Sequence, residues 1–326
     1  MNQWIVITTI NPPTKAIRRI SELSESGWRC VVVGDRKTPS DWSAPGIDYL
    51  SYEQQLVQFG DLARDIPANH YCRKNLGYLY AIQQGADVIL ETDDDNIPGP
   101  SFGKDVSIEV TGQRLGGARW VNVYKHFSDG LIWPRGNPLD TIHDGGCLSI
   151  DQLTVSAPIQ QFLADGDPDV DAIYRLLFKQ PLFFKQRDPV LLERGTWCSF
   201  NSQNTLFFRE AFPALYLPCH VSFRMTDIWR SFVAQAALWT EDKRIAFRSA
   251  TVVQERNEHN LMKDFRDEVD GYLRNDEIAK SLQLLDAAPM DEFVLTAWKE
   301  LHRIGVATSN EVRLAEAWME QVRKCQ

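Results

Sequence analysis

Nothing in the sequence approaches the ~20 consecutive apolar residues that a bilayer-crossing helix needs, so no membrane span is expected. Met1-Asn2-Gln3-Trp4 leads straight into a strand-like run, without the basic segment and apolar stretch of a leader peptide. Cysteine is sparse. Cys30, Cys72, Cys147, Cys198, Cys219 and Cys325 are scattered, and none forms the CxxC spacing of a zinc knuckle or redox dithiol. With no disulfide-type spacing, a reducing, cytoplasmic location is the expectation. Positive charge is also short, with 35 Lys and Arg against 44 Asp and Glu. The net charge of -9 excludes the basic footprint of a nucleic-acid binder. A nucleotide ligand stays open, because a divalent cation can offset a diphosphate locally. No internal repeat is visible.

What is present is an ordinary globular composition, long enough at 326 residues for one large α/β domain with an appendage or for two small domains. Residues 4–10 (WIVITTI) form a β-branched apolar run that reads as a buried strand. Asn11-Pro12-Pro13-Thr14 breaks it, Ile17, Ile20 and Leu23 then recur at helical spacing, and Gly27 stops that helix. A second apolar run, residues 28–33, ends at Gly34-Asp35. Strand, helix and strand in this order predict a parallel sheet. Residues 70–84 read as another helix, and residues 86–90 as a third strand running directly into Asp93-Asp94-Asp95. Ligands of open parallel sheets bind beyond the carboxyl ends of strands, so Asp35 and the aspartate run are expected along one edge. Residues 225–239 read as a helix and 244–253 as a strand. The charged, helical stretch from about residue 260 reads as an appendage. The expected division is a catalytic domain over 1–259 and a helical extension over 260–326.

Three adjacent carboxylates repel one another unless something offsets them. At a strand end that faces a cleft, the usual partner is a hard divalent cation with oxygen ligands; a solvated acidic turn is the other reading. The surrounding residues resemble a known pattern. Arg73-Lys74-Asn75-Leu76-Gly77, followed by Glu91-Thr92-Asp93-Asp94-Asp95 after a strand, resembles the RN-x-G and DxD signature of GT-A glycosyltransferases, with Lys74 intervening between the Arg and the Asn. Asp93-Asp94-Asp95-Asn96-Ile97-Pro98 is similar to a segment of the reversibly glycosylated polypeptides, which are UDP-arabinopyranose mutases. Together with Asn11-Pro12-Pro13-Thr14 and Gly166-Asp167-Pro168-Asp169-Val170-Asp171, the set looks most like the STELLO family of glycosyltransferases, over roughly residues 1–260.

That resemblance implies a GT-A (Rossmann-like) α/β fold, with a mixed, mainly parallel sheet flanked by helices. It also implies a nucleotide-sugar donor, UDP-linked first of all, a carbohydrate or glycoconjugate acceptor, and Mn²⁺ or Mg²⁺. Thr8 and Thr9 would border the nucleotide, and Asp35 would meet base or ribose unless it is a plain turn residue. Arg73 would reach phosphate or base oxygens, and Asp93 and Asp94 would lie against the donor. Asp93 and Asp95 would hold the metal, with His259 as a third ligand or, alternatively, a solvent-exposed helix-start residue.

A sugar-transfer step needs a carboxylate to take the acceptor's proton. Asp227 is the first candidate and implies inversion. Helix capping is its competing explanation, and Asp169 and Asp171 form a second acidic set that also suits a turn before a helix. Trp133, Arg135, Trp197, Asn201 and Asn204 offer ring faces, amides and charge suited to sugar or acceptor, or else core and sheet positions. Two rival functions remain: a UDP-sugar mutase, and a catalytically silent GT-A-like binding module.

Overall fold

The computed structural model describes residues 1–23, 27–255 and 260–325. In chain order it contains β1 (Gln3–Thr8), α1 (Lys15–Ser21), β2 (Trp28–Val33), β3 (Asp48–Leu50), α2 (Tyr52–Asp65), α3 (Lys74–Gln83), β4 (Val88–Thr92) and β5 (Asn96–Pro98). The middle of the chain carries β6 (Glu109–Gly116), α4 (Tyr124–Phe127), β7 (Cys147–Ser156), β8 (Ile159–Gly166), α5 (Ala172–Leu177), β9 (Val190–Leu192) and β10 (Asn204–Phe208). It closes with α6 (Thr226–Thr240), β11 (Ile245–Gln254), α7 (Leu261–Gln283), α8 (Met290–Arg303) and α9 (Ser309–Cys325).

The described strands form one sheet in the order β3-β2-β1-β4-β10-β8-β11-β9-β6-β7, with β5 paired to β11. β3, β2, β1 and β4 run parallel. β10 then enters antiparallel between β4 and β8, and the remainder of the sheet is mixed. The apolar run of β1 has no polar alternation because both of its faces are covered. Trp4 and Val6 enter one core cluster, and Ile5 and Ile7 enter the cluster on the opposite face. β4 divides in the same way, with Ile89 on the first face and Val88 and Leu90 on the second. This is the two-residue period of a pleated strand.

Gly77 explains why α3 approaches the sheet so closely: a Cβ there would meet Val33 Cγ2 and Val6 Cγ1, each at 2.6 Å. Helix α2 starts with a reciprocal capping box in which Ser51 accepts from the Gln54 amide and Gln54 from the Ser51 amide. The helices of the C-terminal extension, α7, α8 and α9, pack into the same core. Ile278, Trp298, Leu314 and Trp318 belong to one cluster with Leu76 of α3 and Phe232 of α6. The charged outer faces of these helices conceal an apolar stripe at helical spacing. Among the described residues, no helix is long and apolar enough to cross a membrane.

Candidate functional site

Because β1, β2 and β4 are parallel, their carboxyl ends lie on one edge, and the loops that follow them meet there. A cleft of about 380 Å³ is lined by Thr8, Thr9, Asp35, His70, Arg73 and Asp94, among others. Thr38 ties two of the loops together: its Oγ1 accepts from the Asp35 amide at 2.8 Å and donates to the Thr9 carbonyl at 2.7 Å. Asp35 is buried and also accepts from the His70 amide at 3.3 Å. Arg73 lines the cleft, with its guanidinium held in the wall. Its Nε donates to Gln55 at 2.7 Å and its Nη1 to the Ile66 carbonyl at 2.9 Å, while its guanidinium lies 4.6 Å over the Tyr52 ring. Its Nη2 is buried without a hydrogen-bond partner among the described residues, a donor left available at the cleft wall.

The cleft adjoins a second cavity of about 350 Å³, whose lining includes Asp93, Asp94, Asp95, Arg135, Asp169 and Asp227, and which shares Thr8, Tyr71 and Phe223 with it. Each member of the aspartate run has its own partner. Asp93 Oδ1 accepts from Lys74 Nζ at 2.7 Å. Asp94 Oδ2 accepts from Thr9 Oγ1 at 2.5 Å and Asn11 Nδ2 at 3.0 Å. Both Asp95 oxygens accept from Gln254 Nε2, at 3.2 and 3.3 Å, and Gln254 in turn accepts from Gln203 at 2.5 Å. Burial raises the Asp93 carboxyl above the usual range against the pull of Lys74, with Asp94 and Asp227 adding to the rise. Among the described residues no group of three or more His, Cys, Asp or Glu side chains converges as a metal cage. His259 lies outside the described residues.

Across the cavity, Arg135 bridges two carboxylates. Its Nε and Nη2 donate to Asp169 at 2.9 and 2.7 Å, and Nη2 also reaches both oxygens of Asp227, at 3.1 and 3.0 Å. Asp227 lies in the first turn of α6, where the helix dipole favours a negative charge. The capping explanation fails, since the cap position is Met225 and no side chain caps there. Tyr71 Oη and the Ser202 amide also donate to Asp227, at 3.2 Å each. Burial opposes its ionisation, but the charge and hydrogen bonds of Arg135, helped by Arg230, outweigh this and hold the carboxyl at about 2.

Five expected residues lie elsewhere. Asp171 caps α5 by accepting from the Tyr174 amide at 2.7 Å, and also accepts from Trp133 Nε1 at 2.7 Å. It is fully buried and does not line the cavity, so the turn-and-helix reading holds for it. Trp133 packs edge-on against Tyr174, and Trp197 against Phe232 and Trp239; both rings are core. Asn201 Oδ1 accepts from the Gln203 amide in the loop before β10, and Asn204 Nδ2 donates to Thr251 Oγ1 and the Leu163 carbonyl; neither residue lines the cavity. Their neighbours Ser202 and Gln203 line the cavity instead. These two belong to the amide-rich stretch, residues 195–205, expected to border sugar or acceptor, whereas sequence reasoning missed Tyr71, Gln254 and Lys74. Only Lys74 carried a signal, as the residue interrupting the motif.

A mixed α/β sheet with a cleft and an aspartate-rich cavity at the ends of its parallel strands is the arrangement expected of a GT-A-like fold. Residues 224–325 match the family model for STELLO glycosyltransferases. Probable glycosyltransferase STELLO2 of Arabidopsis thaliana is 28% identical over 98% of this chain and 44% of its own length. Probable glycosyltransferase STELLO1 of the same plant is 30% identical over 73% of this chain and 33% of its own length. The chain belongs to the STELLO family, and its alignments span less than half the length of these curated relatives. A solved structure, glucosyl-3-phosphoglycerate synthase from Mycobacterium tuberculosis in complex with Mg²⁺ and UDP, superposes with a TM-score of 0.39 at 12% identity. The superposition covers 84% of this chain and 78% of that one.

Proposed function

We propose that this chain transfers a sugar from a nucleotide-sugar, UDP-linked first of all, to a carbohydrate or glycoconjugate hydroxyl with inversion. The observation that carries this reading is the junction of the two cavities. A cleft sized for a nucleoside opens into a chamber where Asp93, Asp94 and Asp95 face Asp169 and Asp227. A nucleoside diphosphate laid along that path would put the base near Asp35 and Arg73 and the phosphates beside the aspartate run.

The donor set suits a hard cation such as Mn²⁺ or Mg²⁺, because carboxylate oxygens line the chamber. Mg²⁺ ordinarily takes only one or two carboxylates, with phosphate oxygens and water completing its shell. Asp93 and Asp95 would hold it, and when bound it would stabilise the departing diphosphate as a Lewis acid.

The protein's own groups would then position the acceptor. Asp227 is the base in this reading, because it lines the chamber with the aspartate run and takes the amide hydrogen bond of Ser202, whose carbonyl is bonded to the lysine that holds Asp93. Accepting the hydroxyl proton requires the acceptor to displace one of its hydrogen bonds from Arg135, Tyr71 or Ser202. Arg135 would retain Asp169 and keep the second carboxylate in place.

The experiment is incubation with a panel of UDP-sugars and Mn²⁺, with and without acceptor glycans, followed by analysis of UDP and sugar products. Acceptor-dependent UDP release supports transfer. Ring-isomerised donor without UDP release would establish a mutase instead, and tight donor binding with neither product would establish a non-catalytic module.

A further inference from the structure

Lys74 is a lysine with no solvent exposure, an unusual state for an ammonium, and its surroundings give the reason. Nζ makes three hydrogen bonds: to Asp93 Oδ1 at 2.7 Å, to the Thr92 carbonyl at 3.0 Å and to the Ser202 carbonyl at 3.3 Å. One side chain from α3 thus joins the end of β4 to the loop before β10. That loop in turn donates its Ser202 amide to Asp227. Among the described residues, the buried Lys74 pairs with Asp93. Asp94 is held by the neutral groups of Thr9 and Asn11.

We propose that Lys74 is a positioning residue that neutralises Asp93 and removes it from the ligand set of a divalent cation. The inference rests on the metal-dependent reading above and changes it at one place. In that reading two of the three aspartates share the cation with the phosphates; here Asp93 instead anchors the chamber wall through Lys74. A sequence carrying three adjacent aspartates therefore presents fewer cation ligands than it displays.

The consequence is a specific ordering of Mn²⁺ affinities. Lys74→Met removes a positive charge and exposes the Asp93 carboxylate, adding one net negative charge beside the cation. Asp93→Asn leaves Lys74 uncompensated, adding one net positive charge. The double variant removes both charges and restores the local balance. One unit charge acting on a divalent ion across about 6 Å changes affinity roughly tenfold or more, even at the dielectric constant of water.

The test titrates Mn²⁺ against the full chain by electron paramagnetic resonance of the unbound ion, with and without UDP, and follows thermal unfolding of every variant. The expected order of affinity is Lys74→Met above wild type, wild type equal to the double variant, and Asp93→Asn below both, with Lys74→Arg close to wild type. A merely structural role for Lys74 predicts weaker binding in every variant, and that result overturns the proposal. So does a double variant roughly tenfold or more weaker than wild type, which would make Asp93 a direct ligand while leaving the metal-dependent reading intact. Wild-type protein that binds no Mn²⁺ even with UDP would overturn both. If Lys74→Met fails to fold, the comparison of Asp93→Asn with the double variant decides.

Discussion

Glu91, one residue before the end of β4, and Arg230 on α6 form a two-pronged ion pair sealed from solvent. The contacts are Nη1 to Oε2 at 2.9 Å and Nη2 to Oε1 at 2.6 Å, with side-chain exposures of 0% and 1%. Tyr78 Oη donates to the same carboxylate, and the guanidinium lies over the rings of Phe200 and Phe207. The pair fastens the helix that carries Asp227 to the strand that delivers the aspartate run. Removing one partner strands the other charge in a low-dielectric core.

Glu91→Gln is therefore expected to cost about 3–5 kcal/mol of unfolding free energy. Replacing both partners, as Glu91→Gln with Arg230→Met, is expected to recover much of that loss, because no uncompensated charge remains. Urea denaturation of the two variants measures this. A single-variant loss below about 1 kcal/mol would show that water or rearrangement relieves the stranded arginine.

Asp171 gives a prediction with a definite sign in pH. Burial raises its carboxyl to about 6, against the lowering pull of the Tyr174 amide and Trp133 indole. The folded protein thus holds this proton more tightly than the unfolded chain, whose aspartate titrates near about 3.9. Its contribution to stability is fully present below about pH 4 and is lost as pH rises through about 6. A difference of this size between the folded and unfolded carboxyl corresponds to ~3 kcal/mol. Asp171→Asn keeps a cap acceptor but cannot titrate, so the stability difference between wild type and variant should change by nearly that amount between about pH 7 and about pH 3, in favour of wild type at the acid end. Denaturation curves that keep a constant difference across this range would contradict the assignment.

The strand-helix-strand opening was legible because each strand is a continuous apolar run and each break carries Pro, Asn or Gly. The aspartate run at the end of β4 and Asp35 beyond β2 followed from the same rule about strand ends. Strand direction beyond β4 was not legible, since nothing local in residues 204–208 distinguishes an antiparallel strand from a parallel one. The aromatic assignments failed for a physical reason. Trp133 and Trp197 are large apolar bodies whose burial stabilises the core, and nothing in sequence separates that use from sugar stacking. Lys74 was hidden because a lysine in a helix reads as a solvated charge. Its meaning depends on Asp93 and on Ser202, 128 residues away.

Removing the divalent cation should weaken UDP binding. With the phosphates beside Asp94 and Asp95, the uncompensated charges repel, and affinity measured by calorimetry should fall at least about tenfold on adding EDTA, or ~1.4 kcal/mol. Asp95→Ala should bring about the same loss in the presence of Mn²⁺, and EDTA should then add little. UDP binding that is indifferent to both treatments would remove the metal from the site.

Asp227 supplies the most demanding test, because its surroundings pull in two directions. A base is most effective when its pKa lies near the working pH, yet Arg135 holds this carboxyl at about 2. The arrangement therefore keeps Asp227 ionised throughout the physiological range but makes it a weak acceptor until the Arg135 bridge loosens. If it serves as the base, Asp227→Asn should lower turnover by ~10²–10⁴-fold while donor affinity stays close to wild type. The depressed pKa also fixes the pH profile: in the free enzyme no acid limb belonging to Asp227 should appear as pH falls from 8 to about 4. Asp169→Asn separates the two bridged carboxylates. Its loss removes a like charge from beside Asp227 and leaves Arg135 to that carboxylate alone, so the remaining base should be held at least as low, with still no acid limb and a smaller fall in turnover at neutral pH. Near-normal turnover in Asp227→Asn together with a collapse in Asp169→Asn would exchange the two roles. A fall in donor affinity and melting temperature that matches the fall in turnover would assign Asp227 to the architecture of the chamber and not to proton transfer.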